Sequence, residues 1–464
     1  MDELLNSSLV TIAESIRAGQ VKSKDVVTAF LDRIERVNGK LNAVVTPTAE
    51  LALKHAAKAD ADLGKGEFHG ALHGVPITIK DSLDTIDAIT TWGTLGREDF
   101  RPGRDATCVE RLRGQGAILL GKTNTPEFTL SFQTDNLVFG KTNNPYNPNL
   151  TPGGSSGGAA AIISAGASPL DIGTDTGGSI RLPSHFCGIA GIKPTTGRVP
   201  CTGNALPSTG LIAPLTQPGP MARYVEDLYY ILKIISGPDL LDPHAIEAKL
   251  HDPAQVDIDT LRIGYHTDNG IKTPTEDINQ TVINVIDLLK DHNLPATEAR
   301  PTGIEMAGFI ITQVFSADCG EMLDVLLEDC RTQTPSPAIL ENLKRATNEL
   351  SAVEFAQVLN LWHNFQSSML GYFQDFDILI TPVNASTAIA HGEKEDMGSY
   401  TYTSAYNLTG WPAMVIRAGT TKKGLPIGIQ ILSRPFREDH CLAVAAWLEA
   451  RLDPFKAPEI NAFG

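Results

Sequence analysis

The 464-residue chain is short of positive charge: 38 Lys and Arg stand against 54 Asp and Glu, a formal net charge of −16. Nucleic-acid binding relies on Lys and Arg at phosphates, so this balance argues against a nucleic-acid partner. Cysteine is scarce too. Cys108, Cys187, Cys201, Cys319, Cys330 and Cys441 are scattered, with no CxxC pair, so neither a zinc site nor a disulfide framework is indicated. Reduced thiols are expected, and with them a cytoplasmic location. No uncharged apolar run reaches the roughly 18 residues of a membrane span. The start, Met1-Asp2-Glu3, lacks the basic opening of a signal peptide. Low-complexity tracts, internal repeats and a Pro/Gly/Ser linker are also missing. A chain of this length forms one large domain or two, with enough core to hold without staples.

What is present is helix and strand in mixture. Leu5, Leu9, Ile12 and Ile16 predict an N-terminal helix; Val26, Val27, Phe30, Ile34 and Val37 predict a second, capped by Ser23 and stopped by Gly39. Val75, Ile77 and Ile79 alternate with Pro76, Thr78 and Lys80, which predicts a strand carrying Lys80 on the face away from the apolar set. Residues 109–122 read as a helix end and a buried strand. Residues 305–376 read as mostly helical, and strands return at 377–382, 413–416 and 426–432 before a closing helix over 438–452. This mixture predicts an α/β sandwich.

The densest signal runs from Gly153 to Ser179. It opens with Gly-Gly-Ser-Ser-Gly-Gly over 153–158, continues through Ala159-Ala160-Ala161, and ends in Gly173-Thr174-Asp175-Thr176-Gly177-Gly178-Ser179. Glycine leaves backbone N–H groups bare, and bare N–H groups are donors toward an oxyanion. A serine hydroxyl beside them is a candidate nucleophile.

Several chemistries compete for these residues. Gly153-Gly154-Ser155-Ser156-Gly157 fits G-x-S-x-G, a nucleophile elbow that would need a later histidine such as His440. His185, six residues after Ser179, could pair with it, although its largely apolar neighbours favour a packed core histidine. A third arrangement uses no histidine: a neutral Lys80 as base, Ser155 as relay and Ser179 as nucleophile. Outside hydrolysis, Gly116-x-x-x-x-Gly121-Lys122-Thr123 matches the P-loop pattern. Its middle, Ala-Ile-Leu-Leu, is strand-like, and Asn124-Thr125-Pro126 blocks a following helix, so nucleotide binding is a remote alternative.

The whole pattern resembles the amidase signature family of serine hydrolases. The blocks that carry the resemblance are residues 153–199, Gly74-Val75-Pro76-Ile77-x-Ile79-Lys80-Asp81 and Gly121-Lys122-Thr123-Asn124. Lys80 and Ser155 lie 75 residues apart, and Ser155 and Ser179 lie 24 apart. Likeness starts near Leu31 and reaches the final helix. It implies an α/β fold with a mixed, twisted central sheet sandwiched between helices as one large domain over 1–464. Within it fall N-terminal helices over 1–70, a catalytic core over 72–200 and a helical cover on the substrate side over 300–376.

The resemblance also implies roles. Ser179 is the nucleophile, Ser155 sits on a cis peptide bond and relays the proton, and Lys80 is the base. The N–H groups of Thr176, Gly177, Gly178 and Ser179 form the oxyanion hole, and Ser156, Asp175 and Arg181 support the site. Phe128, Thr129 and Ser131 fall near the acyl pocket, with Trp411 and Thr381 as candidates for its other wall. The expected activity is hydrolysis of a carboxylic amide to an acid plus ammonia or an amine, with no metal and no cofactor. The expected partner is a small-molecule amide, with neither nucleic acid nor membrane, and a homodimer is left open. The alternative within the family is the A-type subunit of a tRNA-dependent amidotransferase, from which this chain departs over Pro214–Met221.

Overall fold

A computed structural model of the chain describes residues 2–346, 350–394 and 396–460. Its strands are β1 (Val44–Pro47), β2 (Pro76–Lys80), β3 (Ile118–Thr123), β4 (Leu170–Asp175), β5 (Ala190–Lys193), β6 (Gln217–Ala222), β7 (Ile263–Tyr265), β8 (Ala296–Glu298), β9 (Ile378–Pro382), β10 (Ala413–Thr420) and β11 (Pro426–Ser433). Eight of them form one sheet in the order β4-β6-β5-β10-β11-β9-β7-β8, and β1-β3-β2 form a smaller one. Both are mixed: β10 runs antiparallel to β11 and β5 while β7 runs parallel to β9, and β1 runs antiparallel to β3 while β2 runs parallel to it. The expected α/β sandwich with a mixed sheet is therefore what the chain forms.

Burial explains the strand sequences. Every residue of β2, β4, β9 and β11 is buried, β2 lying partly against β4 of the larger sheet. A strand covered on both sides has no solvent face. Thus the side of β2 that carries Lys80, opposite Ile77 and Ile79, is also interior, and Lys80 is 0% exposed.

The Gly157–Ser164 helix is buried all round. Its glycines and alanines allow that: a Cβ at Gly158 would run into the backbone of Asn124. Small residues bring this helix close to β2 and β4, which carry Lys80 and Asp175.

The N-terminal helices form with different ends from those predicted. Ser8 interrupts the first one. Its hydroxyl accepts the Thr11 N–H at 3.1 Å and caps a separate helix, Leu9–Arg17. Ser23 lies inside the Ser23–Leu41 helix rather than capping it, and its hydroxyl donates to the Gly74 carbonyl at 2.7 Å. The helix passes Gly39 and stops at Asn42, which takes the left-handed conformation at φ 51°.

Helices Ala307–Ser316, Glu321–Asp329, Pro337–Arg345 and Ala352–Leu370 cover one end of the molecule. They bury Ile310, Val314, Leu323, Ile339, Trp362 and Phe365 in a second core with Phe128, Tyr406 and Trp411. The six cysteines are free thiols. Among the described residues, no helix is long and apolar enough to cross a membrane.

Candidate active site

Lys80 ends β2 and points at the turn before the buried Gly157–Ser164 helix. Its Nζ donates to Ser155 Oγ at 2.6 Å, to Ser156 Oγ at 3.0 Å and to Thr174 Oγ1 at 2.9 Å. Three hydroxyls therefore surround an amine that water does not reach. Burial pushes its pKa down to about 7, with Asp171 and Asp175 acting in the opposite direction. Donating to all three takes the ammonium form; with its pKa at about 7 the amine sheds one proton around neutrality, and a hydroxyl such as Ser155 can then donate to the nitrogen instead.

Ser155 follows a cis peptide bond from Gly154. Close packing surrounds that bond. A Cβ at Gly154 would stand about 2.7 Å from the backbone of Ser131 and Phe132. From the next residue, the Ser156 N–H donates to the Ser179 carbonyl at 3.1 Å. That bond ties the two glycine-rich turns together and sets Ser179 beside Ser155. Ser179 is 5% exposed, and no described residue hydrogen-bonds its Oγ.

The turn from Thr176 to Ser179 leaves β4 and enters the Arg181–Cys187 helix. No described residue accepts from the N–H of Thr176, Gly177 or Ser179. Gly178 differs from the expectation: its N–H donates to Asp175 Oδ1 at 2.8 Å and is not open to an oxyanion. Three of the four expected donors thus remain free in this turn. The Gly177 carbonyl accepts from Thr403 Oγ1 at 2.7 Å, and Thr176 Oγ1 shares a hydrogen bond with Thr216 Oγ1.

Beneath the turn lies a buried ion pair. Arg181 Nε and Nη2 donate to Asp175 at 3.0 and 2.9 Å, and both side chains are 0% exposed. Arg181 also reaches the Thr403 carbonyl, Gln430 Oε1 and Asn407 Oδ1. Asp175 accepts the N–H groups of Gly178 and Ile180 and the Asn407 side-chain amide. Burial alone would raise the Asp175 pKa, but Arg181 and Asn407 hold it well below the usual carboxylate range.

These features make a hydroxyl beside free N–H groups and a second hydroxyl joined to a buried amine of lowered pKa. A profile of the Amidase family matches residues 25–442. The chain belongs to the amidase signature family. It is 32% identical to the A-type subunit of the glutamyl-tRNA(Gln) amidotransferase of Natranaerobius thermophilus, over 97% of either chain. It is also 32% identical to an indoleacetamide hydrolase of Bradyrhizobium diazoefficiens, over 96% of this chain and 86% of the relative. Among solved structures, a 6-aminohexanoate cyclic dimer hydrolase with bound substrate superposes with a TM-score of 0.88 at 26% identity, covering 98% of this chain and 99% of that one. The chain is thus an enzyme of carbon–nitrogen amide bonds.

The other candidates fall elsewhere in this amidase fold. His185 is a satisfied core histidine: its Nδ1 accepts the Gly428 N–H at 2.7 Å, its Nε2 lies 3.1 Å from the Ser386 carbonyl, and burial lowers its pKa to about 4. His440 makes no hydrogen bond with Ser155; it lines a separate surface cleft of about 660 Å³ with Tyr229, Lys249, Asp377 and Arg437. Neither Lys80, Ser155 nor Ser179 lines that cleft. Lys122 is 0% exposed at the end of β3 and donates to Leu83 O, Thr85 Oγ1 and Thr90 Oγ1. From Ile118 to Thr123 the P-loop-like stretch is strand rather than phosphate cradle.

Of the pocket candidates, Phe128 and Trp411 pack into the second core. Thr381 is fully buried, donating to the Pro382 carbonyl and accepting from Gln430. Thr129 has φ 64° and is buried, but no hydrogen bond joins its side chain to Lys80, Ser155 or Ser179. The backbone of Ser131 and Phe132 does reach the site, through Gly154. The Phe132 ring stacks on Tyr400 with centroids 3.8 Å apart, and it lies 3.4 Å from where a Gly177 Cβ would stand. Thr216, Thr403, Asn407 and Gln430 went unseen in sequence, since nothing local marks them.

Gly178 has φ 135°, and a Cβ there would run into Thr403 Oγ1 and lie 2.8 Å from Thr403 Cβ. Gly178→Ala is expected to displace the turn from Thr403. A misplacement near 1 Å is worth about 10²-fold in rate. Comparing kcat/KM with the melting temperature separates this loss from unfolding.

Proposed function

We propose that the chain is a stand-alone amidase that hydrolyses a carboxylic amide to an acid plus ammonia or an amine. The observation that carries this reading is the Lys80 Nζ–Ser155 Oγ hydrogen bond of 2.6 Å at a fully buried lysine whose pKa is lowered to about 7. A neutral Lys80 takes the Ser155 proton as Ser155 takes the Ser179 proton. The second transfer needs Ser179 Oγ to turn toward Ser155. Serine has three staggered rotamers, and catalytic hydrogen bonds often tighten only when substrate is bound.

Ser179 Oγ then attacks the amide carbon. The carbonyl oxygen becomes an oxyanion received by the free N–H groups at Thr176, Gly177 and Ser179, each donor worth about 3 kcal/mol. The proton returns through Ser155 to the departing nitrogen, which leaves poorly as an anion. Water attacks the acyl-enzyme in the second half, with Ser155 and Lys80 again taking its proton. The expected site works in the cytoplasm without metal, cofactor or nucleic acid. The stacked Phe132–Tyr400 pair beside Gly177 supports an acyl group with an apolar or aromatic body.

The second reading is the A-type subunit of a tRNA-dependent amidotransferase, favoured by the name of the Natranaerobius relative. Hydrolysis by the purified chain alone separates the two. The expected result is turnover of aliphatic or aryl acetamides, with a fluorophosphonate attached to Ser179 in the mass spectrum. A chain that takes the fluorophosphonate but hydrolyses no amide until partner proteins and tRNA are added supports the second reading. Labelling at a residue other than Ser179 would sink both.

A further inference from the structure

One fully buried acid takes no part in the chemistry above. Asp171 lies on β4, four residues before Asp175, and is 0% exposed. It stands where the two sheets meet. Its Oδ2 accepts from Thr78 Oγ1 on β2 at 2.6 Å and from Thr123 Oγ1 on β3 at 3.0 Å. Its Oδ1 makes no regular hydrogen bond, although the backbone N–H of Lys80 faces the carboxylate and helps to hold its pKa down.

Those two threonines bracket the lysine. Thr78 is two residues before Lys80 on the same face of β2, and Thr123 is the residue paired with Lys80 across the β2–β3 ladder. A carboxylate so placed acts on Lys80 through both position and charge. It fixes the end of β2 from which the side chain departs, and its negative charge favours the ammonium form. A staple between the sheets needs no acid, since an amide or hydroxyl would accept the same two bonds. A carboxylate oxygen in the interior without a regular hydrogen bond is costly. Its presence is explained if the charge itself has work to do.

We propose that Asp171 is a positioning residue for Lys80: from the seam between the sheets, its carboxylate sets the pH at which that amine gives up its proton. The proposal rests on the reading of Lys80 as the base. Charged groups facing the pair are few. Lys80 comes from β2, Lys122 from β3 with the buried Asp81 3.7 Å from it and Asp84 beyond, and Asp175 from β4, the last bound to Arg181. Burial raises the Asp171 pKa to about 7, opposed first by the Thr78 and Thr123 hydroxyls, so acid and base change charge over the same range. Protons leave such a pair in steps that belong to both members.

The test is the rate at which a fluorophosphonate labels Ser179, measured against pH for the wild type and Asp171→Asn. This readout needs no knowledge of the natural amide. Asparagine keeps the shape and can still accept from both threonines. With the negative charge gone, the rise in labelling rate should move about one unit toward acid, the lower end for a charge at close range. The high-pH plateau should stay near the wild-type rate. If Asp171→Asn does not fold, judged by thermal unfolding, Thr123→Val serves instead. It removes one donor, leaves the carboxyl neutral to a higher pH, and should move the rise the same way by less.

An unchanged or alkaline-shifted midpoint beside a sloping wild-type profile overturns the role of Asp171 and leaves Lys80 as base. A flat wild-type profile, or no labelling of Ser179, overturns the Lys80 reading and this proposal with it.

Discussion

Ser179→Ala is expected to abolish amide hydrolysis, by about 10⁵-fold or more in kcat/KM, and Lys80→Met to lower it by about 10³–10⁴-fold. The double variant should be no worse than Ser179→Ala. Without the nucleophile there is no hydroxyl for the base to activate, and residues that act as one unit do not add. The pH profile gives an independent check. The base works only as the free amine, and burial lowers the Lys80 pKa to about 7. Wild-type kcat/KM should therefore climb tenfold per unit below about pH 7 and level off above it. Lys80→Met should lose that rise, because methionine has no proton to shed over the range. Both substitutions leave the backbone of the two turns in place, so the melting temperature should not fall in either. Removing a buried, partly charged lysine should raise it. A Lys80→Met enzyme of near-normal rate would end the assignment of the base.

The sequence made the candidate site more legible than the folding details. Ser155, Ser179 and their glycines lie in one short stretch, and the pairing of that stretch with Lys80 follows from family spacing. The strands at 377–382, 413–416 and 426–432 were visible because apolar residues dominate them. By contrast β6, Gln217-Pro218-Gly219-Pro220-Met221-Ala222, has two prolines and a glycine, so it lacks every local mark of a strand. It is held by pairing with β4 along its whole length. A close approach explains its glycine: a Cβ on Gly219 would run into the Ile192 carbonyl. Cap positions failed for a similar reason. Ser23 looked like a helix cap, but tertiary contact gives its hydroxyl the Gly74 carbonyl instead. The expectation that the Gly178 N–H is open failed because its fate depends on how Asp175 folds back onto it. Thr403, Asn407 and Gln430 lie more than 200 residues beyond Arg181, and only the fold brings them to it.

Arg181→Met should destabilise the protein by about 3–5 kcal/mol, because it leaves the Asp175 charge buried without its partner. For a chain this long, unfolding entropy is roughly 1 kcal/mol per kelvin, so the melting temperature should fall about 3–5 °C. The pH dependence identifies the cause. In the wild type the Asp175 pKa is depressed, so the pair contributes its full stability above the unfolded carboxyl's value, about 3.9, and loses it as pH falls through the folded one. In Arg181→Met the leading influence left is burial, which raises the carboxyl pKa above the unfolded value. The variant should therefore recover stability as pH falls through that raised value toward about 4, while the wild type stays level, and the gap in melting temperature should narrow. A purely steric defect would keep the gap constant. Activity should suffer beyond the lost stability. Asp175 holds the Gly178 and Ile180 N–H groups, and through them the turn that carries Ser179. Adding Asp175→Asn to Arg181→Met removes the stranded charge and should restore part of the melting temperature. It should not restore turnover, since the turn would still lack the carboxylate and guanidinium that hold it against Thr403, Asn407 and Gln430.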